Sequence, residues 1–151
     1  MTLTFMSTSS GMTDSAASAA KVFQGRPATW VDDSIPPGSS VAVVWDERPA
    51  QGRTIEPFYQ WIMVTEVFNT TVGDVYRLGP GTYYEKFLPT KPVSLRADSV
   101  VVRKGMPLAA EFALVTCRTP VRGTVIAEAP FGALRLVRVD EPMRLARKPT
   151  C

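Results

Sequence analysis

The chain has 151 residues, 45% apolar and 21% charged, with a net charge of +3 and no histidine. Those values suit one globular domain with a single core and argue against global disorder. Without histidine the commonest general base near neutral pH is missing, and Ser-type and Cys-type triads lose their usual second member. The composition therefore favours a scaffold over an enzyme.

Residues 1–25 are rich in Ser, Thr and Ala, and Lys21 is their one basic residue. Leu3, Phe5 and Met6 are interrupted by Thr, and no basic n-region precedes them, so a cleaved secretory leader is not expected. Asp14 or Ser15 is placed to cap a short helix through Ala16, Ala17, Ala19 and Ala20, marginal alone, and the segment reads as a flexible arm. Nowhere do eighteen apolar residues run together, so no membrane partner is expected.

Residues 26–40 hold Trp30, Val31 and Ile35 among Pro27, Pro36, Pro37 and Gly38, which predicts an extended lead-in strand and a turn. Val41 to Trp45 is continuously apolar and ends in Asp46-Glu47-Arg48-Pro49, as a strand buried on both faces does when it enters a polar turn. Phe58 to Phe68 is β-branched and aromatic, which favours a strand, although Glu56-Pro57 also makes a plausible helix start. A turn at Asn69 to Gly73 leads to a short strand at Val75, Tyr76 and Leu78, closed by Gly79-Pro80-Gly81, with another at Tyr83, Tyr84 and Phe87. Val93, Leu95 and Ala97 alternate with Ser94, Arg96 and Asp98, and Val100 to Val102 extends that strand. Leu108 to Cys117 is apolar on both faces, Val121 to Ala127 alternates less cleanly, and Leu134 to Val139 changes phase in a way that suggests a bulge. About eight strands over this length are the spacing of sandwiches and barrels. The fold class expected is all-β: an antiparallel sandwich over residues 26–142, an arm over 1–25 and a basic tail over 143–151.

Little in this pattern announces catalysis. Asp32-Asp33 and Asp46-Glu47 are neighbours that an extended strand would point to opposite faces, and they read as solvated turn charges. Gly79-Pro80-Gly81 lacks the Gly-Lys-Ser/Thr of a phosphate loop and its proline removes an amide donor, so it reads as a plain turn. Asn69-Thr70-Thr71 is a formal glycosylation acceptor with no leader to deliver it to the modifying machinery. Two cysteines, Cys117 and Cys151, are too few for a disulfide framework or a zinc site, and Cys117 reads as a small buried hydrophobe. No metal, cofactor or small-molecule substrate is expected.

The positive charge is concentrated near the C-terminus, where Arg135, Arg138, Arg144, Arg147 and Lys148 outnumber Asp140 and Glu141. Such a cluster could lie along phosphates, each contact adding salt-sensitive affinity, or simply solubilise the chain. Tyr76, Tyr83 and Tyr84 could stack on bases, though core packing is the more usual role of such residues.

Two stretches, Ser40-Val41-Ala42-Val43-Val44-Trp45-Asp46-Glu47-Arg48-Pro49 and Gly105-Met106-Pro107-Leu108-Ala109-Ala110-Glu111-Phe112-Ala113-Leu114-Val115, resemble strand-and-turn segments of single jelly-roll coat proteins of small plant viruses. A related Asp-bearing strand occurs in the viral movement-protein superfamily. The resemblance implies an eight-stranded jelly roll, an arm reaching a neighbour or the genome, and self-association into a shell. The partners would then be copies of itself or other capsid subunits, with viral nucleic acid as a further partner, in the virion or in host cytoplasm during assembly. Many such proteins carry an Arg-rich arm, whereas here only Lys21 stands in that region. Trp30, Trp45 and Trp61 are candidate interface anchors, because Trp is enriched at the energetic centres of interfaces. The alternative expectation is a nucleic-acid-binding barrel or movement-protein-like module working through the C-terminal basic residues.

Overall fold

The structure is a computed structural model that describes residues 27–46, 62, 65–79, 90–102, 104–116, 119, 121–129 and 134–146. The arm expected over residues 1–25, the strand expected at Tyr83 to Phe87, and both cysteines lie outside those residues. Within them the fold is all-β apart from a single-turn 3-10 helix at Asp32–Ser34 and helical residues at 62 and 65–68. Seven strands form one mixed sheet: β1 (Val41–Asp46), β2 (Val72–Leu78), β3 (Thr90–Arg96), β4 (Ser99–Val101), β5 (Phe112–Thr116), β6 (Gly123–Glu128) and β7 (Leu134–Val139). Their order across the sheet is β4-β3-β2-β1-β5-β7-β6.

The four central strands, β3, β2, β1 and β5, are mutually parallel, and antiparallel neighbours flank them at both ends. This departs from the two antiparallel sheets and eight strands expected of a jelly roll. The physical reason lies in β1 and β5. Val41 to Trp45 and all of Phe112–Thr116 are buried, and strands apolar on both faces belong to sheets covered on both sides, the setting of parallel pairs. Parallel neighbours need a crossover connection. The β1–β2 link contains the helical residues 62 and 65–68, so the segment expected as a strand at Phe58 to Phe68 is helical wherever it is described.

Two cores result, one on each face. Val41, Val43, Trp45, Phe112, Leu114, Leu134 and Leu136 point to the first, where Trp30, Val31, Ile35 and Ile62 cover them. Ala42, Val44, Ala113, Val115, Val137 and Val139 point to the second, filled by Val100, Leu108, Val121 and Met143. β7 thus alternates without interruption, Leu134 and Leu136 facing one way and Val137 and Val139 the other. The bulge expected in β7 lies instead in its partner, between Val125 and Ala127 of β6. The strand expected to run from Val93 through Val102 is a hairpin, β3 and β4, reversed at Ala97 and Asp98 with Ala97 in the left-handed region (φ 56°).

A polar clamp fixes the cover of the first core. The segment expected as a lead-in strand folds into turns and the 3-10 helix, and Asn69, 2% exposed, ties it to the end of the helical segment. Its Oδ1 accepts from the amides of Val31 (3.0 Å) and Asp32 (3.1 Å), while its Nδ2 donates to the carbonyls of Ala28 (3.0 Å) and Thr65 (2.8 Å). Two donors and two acceptor sites are all used, as a buried amide requires. The amide nitrogen that glycosylation would modify is committed to the Ala28 and Thr65 carbonyls in the folded chain. Asp32 answers from the other side: its carboxylate accepts from the amides of Thr70 (2.8 Å) and Thr71 (3.1 Å) and from both hydroxyls. It is therefore a structural acceptor and not the solvated turn charge expected.

The second core is closed by the C-terminal segment. The amide of Val100 donates to the Met143 carbonyl (2.9 Å) and the amide of Leu145 to the Asp98 carbonyl (2.9 Å). On its other side the Arg144 carbonyl accepts from the Arg122 amide (2.8 Å), and Val121 bridges Leu145. Residues 143–145 therefore lie between β4 and the lead-in to β6, drawing the two margins of the sheet toward each other at one end. The start of the expected basic tail is part of the folded body.

Burial opposes ionisation of Asp32, but the hydrogen bonds from Thr71 and Thr70 outweigh it and hold its carboxyl below the ordinary value of 3.8. A carboxylate with a depressed folded-state pKa stabilises above the unfolded value, and that contribution is lost as pH falls through the folded one. Urea midpoints measured from neutral pH downward should fall below about pH 4, and Asp32→Asn should flatten that fall while costing roughly 1–2 kcal/mol at neutral pH. A second test concerns β6. Gly123 has φ +150°, and a Cβ there would run into the carbonyl of Arg138 on the adjacent strand. Gly123→Ala should cost roughly 2–3 kcal/mol in the same assay, whereas Gly38→Ala, with open space around it, should cost about 1 kcal/mol for the strained backbone alone.

Candidate functional site

The basic residues expected to act together are dispersed by the strand period. Arg135 and Arg138 are three apart on β7, so the alternation of a strand sends them to opposite faces. Arg135 stands on the face of Val137 and Val139, half-buried, with its Nε 2.8 Å from a carboxylate oxygen of Glu128 on β6. Arg138 stands on the face of Leu136 and lies over the ring of its cross-strand neighbour Phe112, 5.7 Å from the centroid, a cation–π contact that also covers the first core. Arg144 belongs to the closing segment and approaches Asp98 at 3.9 Å. Arg147 and Lys148 lie outside the described residues.

Asp98, in the β3–β4 turn, is the centre of a latch. Its carboxylate accepts from Arg122 at 2.8 Å and faces Arg144, while its carbonyl accepts from Leu145. One turn thus holds the lead-in to β6 and the C-terminal segment together. Arg135, Arg138 and Arg144 are thus each engaged within the chain and are not gathered on one face.

The tryptophans are likewise accounted for. Trp30 and Trp45, 7% and 5% exposed, both belong to the first core, so as interface anchors they have little surface to offer. Trp61 lies outside the described residues, as do Tyr83 and Tyr84. Tyr76 is half-buried beside the second core, and its hydroxyl donates to Asp74 at 3.3 Å. Burial, with the Asp74 carboxylate beside it, pushes the phenol above its usual 10.0. Lys91 completes this exposed group with a 2.5 Å contact to Asp74.

What the sequence reading passed over is the outer margin at β6. Val125 is 49% and Ile126 37% exposed, and five of the six residues of Gly123–Glu128 are exposed, although the strand sits beside a buried one. The uneven alternation of Val121 to Ala127 was the signal: Val121 and Ala127 reach the two cores, whereas Val125 and Ile126 between them stay exposed. Beside this edge opens a cleft of about 410 Å³ whose lining includes Thr116, Arg122, Val125, Arg135 and Asp140. Further exposed apolar side chains are Val67 and Phe68, at the end of the helical segment, and Met106. Among the described residues no group of three or more Cys, Asp and Glu is disposed to hold a metal ion, and no helix is long and apolar enough to cross a membrane.

Comparison with protein-family models, curated proteins and solved structures finds no match to this chain.

The latch is partly exposed, so its ion pairs are weak and its value lies in holding backbone margins together. Asp98→Ala should lower stability by roughly 0.5–1 kcal/mol. It should also speed hydrogen exchange at the amides of Leu145, Val100 and Arg122 while leaving β1 and β5 protected, a pattern read by two-dimensional NMR.

Proposed function

We propose that this protein is a structural subunit that acts by association with copies of itself, in the manner of a viral coat or coat-associated protein. The observation that carries this reading is the distribution of apolar surface. Much of both sheet faces is covered by the chain's own segments, and among the described residues the exposed large apolar side chains are Val125 and Ile126 on the outer strand β6, Met106 beside β4, and Val67 and Phe68 at the end of the helical segment. Apolar side chains left at margins suit contacts between subunits, since surface of that kind otherwise stays in unfavourable contact with water. The all-β class supports a coat-like role more than the strand wiring does. A jelly roll is wound from antiparallel strands, and the parallel centre β3-β2-β1-β5 departs from it. The role we propose therefore rests on association and not on jelly-roll connectivity.

The nucleic-acid reading has less behind it. Arg135, Arg138 and Arg144 are each engaged within the chain, and phosphate contacts would have to compete with Glu128, Phe112 and Asp98. Size-exclusion chromatography with light scattering at several protein concentrations, together with negative-stain imaging, separates the two. Self-association predicts a mass that rises with concentration toward regular assemblies. A mass that stays monomeric, with RNA affinity falling steeply as salt rises, would overturn this proposal in favour of the nucleic-acid-binding module.

A further inference from the structure

We infer that the exposed side of the β3–β4 margin is a binding surface for single-stranded nucleic acid, with Arg96 and Lys104 on its phosphates and Tyr76 against a base. The surface is distinct from the C-terminal basic residues, and the inference stands independently of the self-association proposed above.

β3 lies between two strands and still has a bare side. Val93 and Leu95 pack against the second core, so alternation turns Pro92, Ser94 and Arg96 to the opposite face. All three are exposed there, because the first core draws no residue from β3 or β4. The charge on this hairpin is one-sided. Residues 90–105 hold Lys91, Arg96, Arg103 and Lys104 against Asp98 alone, an excess as large as the net +3 of the whole chain. Neither strand contains an Asp or Glu. Asp98 turns instead to Arg122 and Arg144, and Lys91 is met by Asp74. Arg96 and Lys104 have no ion-pair partner among the described residues, unlike Arg135 and Arg144.

Lys104 stands in a tight turn, closed by the Gly105 amide on the Val102 carbonyl (3.0 Å) and the Val102 amide on the Met106 carbonyl (2.9 Å). Its φ is 81°, a conformation that glycine takes freely and other residues only at a cost. Beside it opens a hollow of about 400 Å³ whose lining includes Pro92, Ser94, Val101 and Lys104. A second, of about 290 Å³, shares Pro92 and Val102 with the first and reaches Lys91 and the half-buried Tyr76. Cations and a hydroxyl along a strand, leading to an apolar recess with an aromatic ring, are the parts that hold single strands: phosphates on the cations, an unpaired base against the ring. Arg96 lies four residues from Pro92 at the hollow, about 13 Å of strand. A ligand that meets both therefore lies lengthwise on β3, which favours a chain of phosphates over a lone anion.

The test is fluorescence anisotropy of the full chain with a labelled oligouridylate at several salt concentrations, joined to photocrosslinking of a 5-iodouridine oligonucleotide mapped by mass spectrometry. The wild type should bind with salt-dependent affinity and crosslink at Tyr76. Arg96→Gln and Lys104→Gln, both at exposed positions, should each weaken binding roughly three- to tenfold and lower the slope of log affinity against log salt by about 0.7. Arg144→Gln should leave both unchanged. The inference is overturned if the wild type fails to bind at low salt, or if Arg144→Gln weakens binding while Arg96→Gln and Lys104→Gln do not. It is overturned equally if heparin competes as well as the oligonucleotide and no crosslink forms at Tyr76, since the surface is then one for polyanions in general. None of these outcomes alters the mass measured in the absence of nucleic acid, so self-association is judged separately.

Discussion

The complete burial of the apolar run of β1 and of all of β5 is the constraint from which the rest of this structure follows. A strand apolar on both sides cannot tolerate a sheet with one wet face, so the chain must supply two covers. The first comes from residues 28–35 and the helical segment before Asn69, the second from residues around Val100, Leu108, Val121 and Met143. Once both faces are covered, the surface left for any function is reduced to margins, turns and the residues outside the described ones. This is why the candidate surface lies at an outer strand and not in the middle of the molecule.

Both covers are fastened by backbone hydrogen bonding around a single polar side chain, not by apolar contact alone. Asn69 fills all its hydrogen-bonding capacity with main-chain groups of two segments far apart in sequence, and Asp32 returns the arrangement through Thr70 and Thr71. Asp98 does the corresponding work for the second cover, with Arg122, Arg144 and the amide of Leu145. The two sites differ in kind. Asn69 is buried, so leaving any of its groups unpaired would be costly, whereas Asp98 is partly solvated and its ion pairs are screened. The first cover is therefore the more firmly specified, and the closing segment at residues 143–145 is the part most easily released.

The sequence made the strands legible and their pairing illegible. Val41 to Trp45 and the apolar run ending near Thr116 were plain as two-sided strands, and that pattern already implied a sheet covered on both faces. What it could not fix was direction, because parallel and antiparallel partners bury the same residues. Direction was decided by the β1–β2 connection, and there the β-branched and aromatic run before Phe68 favoured a strand while tertiary context made it helical. The hairpin between β3 and β4 was hidden for a related reason: Ala97 occupies a left-handed position that usually advertises itself as Gly or Asn. The basic cluster was legible as charge but not as geometry. Arg135 and Arg138 are close in sequence and opposite in space, and the carboxylates that engage Arg135 and Arg144 come from other strands and turns.

The asymmetry between the two margins connects these points. The chain closes on itself at β4 with a segment that would otherwise have been a tail, and in doing so it uses Arg144 and Arg122 to neutralise Asp98. Among the described residues the same segment meets the lead-in to β6 at Val121 and Arg122, and the strand beyond it carries the exposed Val125 and Ile126. Among the described residues β6 therefore has β7 as its one strand neighbour and holds the outermost position of the sheet.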